Sequence, residues 1–216
     1  MPNHVTNKVS APAHVLKALI NESGVIDFKT ILPFRGQFAW NGIDCAAEEA
    51  AAVITAQPLD DHPLIASLQQ SNRSRVDVLK LSDEGFEQFV QMLRNKRSCG
   101  HFNTLDFARD VWGTKWNAYD QVINLDAGEL SFDTAWSCPM PVLQELSKRH
   151  PDEEITVRYA DEDLGSNCGT VRLKAGETVS FEVAGRWADM SEQDRLQWKA
   201  WARDLKGWPE DEEDDE

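Results

Sequence analysis

The chain has 216 residues, more than one domain usually holds, so one domain with a large insertion or two small domains are the arrangements to expect. Hydrophobic residues make up 41% of it and Trp alone accounts for 8, which excludes disorder for the body of the chain. A formal charge of -15 repels phosphates at long range and argues against non-specific binding of DNA or RNA.

In chain order, residues 3–10 read as a strand, with Val5 and Val9 on one face and Thr6 and Lys8 on the other. Pro12 then suits the first turn of a helix with Val15, Leu16, Leu19 and Ile20 as its apolar stripe, stopped at Ser23-Gly24. From Val25 to Val111 the pattern changes to helices joined by irregular pieces: an Ala-rich helix over Ile43–Thr55, a short one over Pro63–Gln69, and a clear one from Asp83 to about Arg97. Ser82 is the natural N-cap of the last, and Phe86, Phe89, Val90 and Leu93 recur along it at helical spacing. Its end, Arg94 to Arg97, complements the C-terminal dipole; Arg73, Arg75 and Lys80 are the other small basic group. Asn103 caps a further helix to Trp112, which Gly113 stops.

Two strand-like runs follow, Lys115–Leu125 and Glu129–Ser137, joined by the turn Asp126-Ala127-Gly128. In the second run Leu130, Phe132, Thr134 and Trp136 share the face expected to be buried. Pro139 and Pro141 open a helix to about His150, and Glu154–Tyr159 is a strand with Ile155, Val157 and Tyr159 inward. An extra hairpin turns at Lys174–Gly176, and a final helix runs from Ser191 to Leu205 with Leu196, Trp198, Trp201 and Leu205 available for docking.

The order β-α-insertion-β-β-α-β is that of a ferredoxin-like antiparallel sheet, a split βαβ fold of the α+β class. Residues 1–24 and 112–185 then form its core, 25–111 a mainly helical insertion, 186–208 a C-terminal docking helix, and 209–216 a disordered acidic tail. That tail ends in seven consecutive acids, Glu210–Glu216, and a second acidic run of six acids against Arg158 alone covers 151–163. The start of the chain has no apolar signal core and no apolar run could span a bilayer, so a soluble, cytoplasmic protein with no membrane association is expected. Cys45, Cys99, Cys138 and Cys168 lack paired spacing and read as free thiols; Cys99 and His101 lack the spacing of a zinc site.

The strings PNHVTN (2–7), IDFKTILP (26–33), WGTKWNAYD (112–120), FDTAW (132–136) with its Pro-rich helix start, and YADEDLGSNCG (159–169) resemble the Api92-like family, also called YubB-like. The resemblance spans residues 2–169 and implies a ferredoxin-like domain and a phage, plasmid or related bacterial context. It implies no activity and no catalytic residues. Residues 35–75 and the chain beyond Lys206 depart from that pattern.

In a ferredoxin-like sheet ordered 4-1-3-2, the starts of strands 1 and 2 meet the ends of strands 3 and 4. This gathers Asn3, His4, Lys115, Trp116, Asn117, Asp161, Glu162, Asp163 and Asn167 as a candidate binding cleft at one end. Asp161 and Asp163 could hold Mg²⁺ or Ca²⁺, act as a general base, or accept hydrogen bonds from a cationic partner. Alternatively they pair with Lys115, Lys8 or Arg158 and cap the turn at Gly165–Gly169. His4 beside an acid resembles an acid/base pair, although strand histidines usually serve structure. Cys168 would need a nearby base to act as a nucleophile. Phe132, Trp136 and Tyr159 share faces with Leu130, Ile155 and Val157, so they read as core and not as an RNA-stacking face.

No cofactor is demanded by any motif. The favoured reading is a non-enzymatic protein-binding module of a mobile element, a modulator of a host or defence protein, whose acidic surface meets a basic partner. The alternative is a small metal-dependent or acid/base enzyme, or a nucleotide-ligand binder, at the acidic end of the sheet.

Overall fold

The computed structural model describes residues 3–56 and 62–209. Its elements in order are β1 (His4–Ser10), α1 (Ala13–Leu16), α2 (Cys45–Thr55), α3 (Pro63–Arg75), α4 (Asp83–Cys99), α5 (Thr104–Phe107), β2 (Tyr119–Asn124), β3 (Glu129–Ala135), α6 (Met140–Arg149), β4 (Glu154–Asp161), β5 (Cys168–Lys174), β6 (Glu177–Val183) and α7 (Glu192–Lys206). They fall into two compact units, Met1–Pro33 with Ala108–Glu216 and, separately, Phe34–Phe107. The tail expected to be disordered lies, from Glu210 on, outside the described residues.

The first unit is an antiparallel sheet of six strands ordered β2-β3-β1-β4-β5-β6. Its first four strands have the ferredoxin-like order, and the β5–β6 hairpin extends the β4 edge. Register follows from the buried alternation: Val5, Asn7 and Val9 lie opposite Thr134, Phe132 and Leu130 on β3, and opposite Asp161, Tyr159 and Val157 on β4. This face carries the fully buried Val9, Leu130, Phe132, Ile155, Val157 and Leu173, and α1 contacts β3 while α6 contacts β5 and β6. The opposite face carries Ala160 and Cys168, on which α7 packs through Ala202 and Leu205, with Trp198 and Trp201 partly buried. Leu196, expected to dock, is exposed instead, because it faces away from that cluster.

Two elements are shorter than their patterns suggest. The first helix ends at Leu16 and continues only as a 3-10 turn, Lys17–Leu19, since Ile20 leaves it to bridge Ile26. Residues 25–33, grouped with the insertion on pattern alone, lie in the sheet unit with Ile26, Phe28 and Ile31 buried. The second strand starts at Tyr119 and not Lys115, because residues 114–117 bond elsewhere: Thr114 Oγ1 donates to Ala135 O, and Asn117 accepts from the Phe28 N–H and donates to Asp27 Oδ1.

Gly169 sets the spacing of the hairpin. It sits at φ +153°, and a Cβ there would lie 2.5 Å from Glu182 O and 2.6 Å from Val183 Cα. Both obstacles are backbone, so no rotamer change can relieve them. Gly169→Ala should cost about 1–3 kcal/mol in urea denaturation; an unchanged midpoint would show that β6 is not held this close.

The second unit is built on the α2–α4 pair. Ala47, Ala50 and Ala51 let α4 approach closely, and Phe89 and Met92 fill the seam. Asp44 and Ser82 cap the two helices through the Ala47 and Gly85 N–H groups, and Gly100 ends α4 in the left-handed conformation. Phe86, expected on the apolar stripe, is 48% exposed, and Met92 takes the buried position. The α3 helix runs on to Arg75, longer than its pattern indicated, with no buried residue. Among the described residues no helix is long and apolar enough to cross a membrane.

Candidate functional site

The end of the sheet where β1 and β2 begin and β3 and β4 finish does not gather its acids into an open cleft. Asp161, 5% exposed, is on the face shared with Val5 and Val9, where its Oδ1 accepts from Asn3 Nδ2 at 3.0 Å and from the Asp163 N–H at 3.0 Å. Its Oδ2 accepts from Asn167 Nδ2 at 2.8 Å. Three donors thus converge on this carboxylate, which is how a buried acid is kept at low cost. Asp163 is exposed, and its Oδ2 accepts from Ser166 Oγ at 3.0 Å. Glu162 is exposed, its N–H donating to His4 O. Among the described residues no group of three or more His, Cys, Asp or Glu is gathered as a metal would require.

His4 faces the other side of the sheet. Its Nδ1 is 2.8 Å from the Tyr119 hydroxyl, so its polar partner is a phenol and not Asp161. Burial, with Asp133, Asp120 and Glu162 nearby, pushes the Tyr119 pKa up to about 12, so at neutral pH the hydroxyl keeps its proton. Lys206, at the end of α7, donates to Thr6 Oγ1 at 3.1 Å and more loosely to His4 O and Ala160 O. Burial lowers its pKa against the raising effect of Asp133, Asp161 and Glu162. Asn117 is tied to Asp27 and Phe28; although burial raises the Asp27 pKa, hydrogen bonds from the Lys29 N–H, Asn117 and Asn21 leave it below its usual value. Cys138 is fully buried and its pKa is pushed far up; that of Cys168 is pushed up to about 11 by burial and by Asp161, so neither is a thiolate at neutral pH.

The residue that the Asp161 bonds serve is Trp136. Expected in the core, it is 47% exposed, because the chain leaves β3 at Ala135 and Trp136 adopts φ +71°. A bulky residue in that region costs about 1–3 kcal/mol and persists only where its surroundings impose it. Here they do. The Trp136 N–H donates to Asn3 O, and Trp136 O accepts from Asn167 Nδ2 at 3.0 Å, the same two asparagines that bind Asp161. Beyond it, Thr134 Oγ1 donates to Ser137 O and Ser137 Oγ to Gly113 O, fixing the exit of the turn. The indole therefore stands at the end of the sheet on a rigid base.

Lys115 links it to a second indole: its Nζ lies 4.9 Å from the Trp136 ring centre and 4.8 Å from that of Trp116, itself 42% exposed. Arg109 lies 5.8 Å from the Trp136 ring, and Trp116 meets Tyr119 edge-on at 6.3 Å. Of the residues expected here, Asn3, Asp161, Asn167 and the Asp163 backbone form one network, Lys115 and Trp116 another that His4 reaches through Tyr119, while Asn117 and the exposed Glu162 belong to neither. Tyr119 and Arg109 were not among the residues expected here; Trp136, which topology brings to this end as the last residue of its strand, was read as core, and the Ser-Cys-Pro that follows it was the signal that the strand ends abruptly.

Strand order and helix placement define a ferredoxin-like domain widened by an edge hairpin. Residues 112–197 match the family model described as the ferredoxin-like domain in Api92-like protein. The crystal structure of a protein Api92 from Yersinia pseudotuberculosis is similar at 12% sequence identity and a TM-score of 0.41, over 86% of this chain and 99% of that one. No curated protein matches the sequence.

Proposed function

We propose that this chain is a non-enzymatic protein-binding module whose contact surface is the Trp116–Lys115–Trp136 edge, acting within a phage or plasmid context on a host or defence protein. One observation carries the reading: a half-exposed indole is held in an unfavourable backbone conformation by a buried carboxylate and two asparagines. Rigid, amphipathic Trp beside Lys and Arg is the composition of interface hot spots, and ordering it beforehand lowers the entropic cost of association. The acidic runs add long-range steering toward a basic partner.

The acid/base form of the enzymatic alternative draws on the His4–Tyr119 pair. A phenol that stays protonated supports a hydrogen bond better than a proton transfer at neutral pH, which favours the binding reading. The test is affinity capture from extracts of the native host with quantitative mass spectrometry, comparing wild type with Trp136→Ala. The expected result is at least a tenfold drop in recovery of a partner retained by wild type, with the unfolding midpoint nearly unchanged. Equal recovery by both proteins would overturn the assignment of this edge.

A further inference from the structure

The second unit contains a helix that its own core does not explain. None of the 13 residues of α3 is buried, and Leu64 and Leu68 are 74% and 63% exposed. A short helix in water draws most of its stability from a packed face, and α3 has little of one among the described residues.

What α3 and α2 enclose is a furrow. One stretch, about 240 Å³, has Ala52, Val53 and Ala56 as its floor and Asn72 and Arg73 on its far wall. It continues past Val53 and Arg73 into a second stretch of about 350 Å³ lined by Ile54, Val76 and Val78. A third, about 170 Å³, shares Glu49 with the first and Val76 with the second, and brings in Arg75 and Lys80. The floor is apolar, and the three cations are the group Arg73, Arg75 and Lys80 noted in the sequence. Of the two acids at its margin among the described residues, Glu49 lines the first and third stretches, whereas Asp77 is engaged, 3.4 Å from Lys80 and capping the Leu79 N–H. Among the described residues Arg73 makes only a long bond, 3.4 Å, to Ala56 O, and both arginines are exposed. Several small linked grooves suit a row of side chains better than one compact cofactor.

We propose that this furrow binds an acidic amphipathic peptide segment of another protein, its apolar side chains on the Ala52–Val53 floor and its carboxylates on Arg73 and Arg75. Charge selects this occupant: an apolar groove rimmed by guanidinium groups favours carboxylates through paired hydrogen bonds. The whole chain, at -15, repels acidic peptides, so an acidic preference has to arise from local cations, and charge reversal at Arg73 and Arg75 separates these from the Arg94–Arg97 group.

The experiment selects a random 16-residue peptide display library on the full chain and measures the enriched peptides by fluorescence anisotropy. Expected are peptides with apolar residues at helical spacing flanked by Asp or Glu, binding the Arg73→Glu/Arg75→Glu variant at least tenfold more weakly than wild type. Ala52→Arg provides a second measurement: it blocks the floor while adding a cation, so the furrow reading expects weaker binding and a purely electrostatic attraction expects tighter. Because all three positions are exposed, the variants should keep the wild-type melting midpoint. Enriched peptides without acidic bias, equal binding to the charge-reversed variant, or tighter binding to Ala52→Arg would each overturn the proposal. So would a wild-type dimer in sedimentation that Arg73→Glu/Arg75→Glu dissociates, which would assign the furrow to a second copy.

Discussion

Replacing Phe132 with Ala should destabilise the sheet unit by about 3–5 kcal/mol. Phe132 is fully buried on β3, and its ring meets Phe28 edge-on at 5.7 Å, while Phe28 meets Trp112 at 5.6 Å. Trp112 in turn is fixed by its Nε1–H bond to Leu32 O at 2.8 Å. Three rings and a hydrogen bond thus carry the core from the sheet to the 26–33 segment, and rings locked in this way collapse poorly into a cavity. Urea denaturation of the variant tests it, with Phe181→Ala as control: that ring, on β6, is 71% exposed and its loss should change stability by no more than about 0.5 kcal/mol. A loss below about 1 kcal/mol for Phe132→Ala would place the core elsewhere.

Asp161→Ala should cost about 2–4 kcal/mol, because it removes a charged acceptor and strands the Asn3 and Asn167 amides and the Asp163 N–H at once. Asp163→Asn should cost less than about 1 kcal/mol, since that carboxylate is exposed and its Ser166 bond is one water can replace. The pair of variants separates an internal brace from a cation site. As a brace, Asp161 governs Trp136 through the two asparagines, so Asp161→Ala should lose the captured partner as Trp136→Ala does, while Asp163→Asn retains it. If instead Mg²⁺ or Ca²⁺ raised the melting midpoint of wild type, and Asp161→Asn abolished that rise without loss of metal-free stability, the brace reading would fail.

Much of the fold was legible in the chain because its signals are local. The alternation of Val5 and Val9, and of Leu130 and Phe132, names the buried face without reference to any other strand, and Ser82, Asn103 and Ser191 cap helices by side chains that bond two or three residues ahead. The order of elements then leaves few sheet topologies open, and the observed order of the first four strands is the one it indicates. Gly165 and Gly169 were legible as turn glycines, but the close approach of the β6 backbone to Gly169 was not.

The site was legible as a place and not as an arrangement. Topology alone brought Asn3, Asp161 and Asn167 to one end, yet which face each side chain takes depends on where each strand stops, and that is decided by contacts between residues far apart in the chain. Ala135 ends β3 because Trp136 is caught between Asn3 and Asn167, and Tyr119 begins β2 because Asn117 is held by Asp27 and Phe28. Asp161 lies opposite Val5 and shares its face, whereas the neighbouring His4 takes the other face, which is why His4 meets Tyr119 and not Asp161. Composition, periodicity and capping chemistry thus determined the elements, their order and the buried face. Only the tertiary structure decided that the conspicuous acids brace the site from within and that two tryptophans and a lysine face outward, because burial of a carboxylate and exposure of an indole are properties of neighbours the local sequence does not contain.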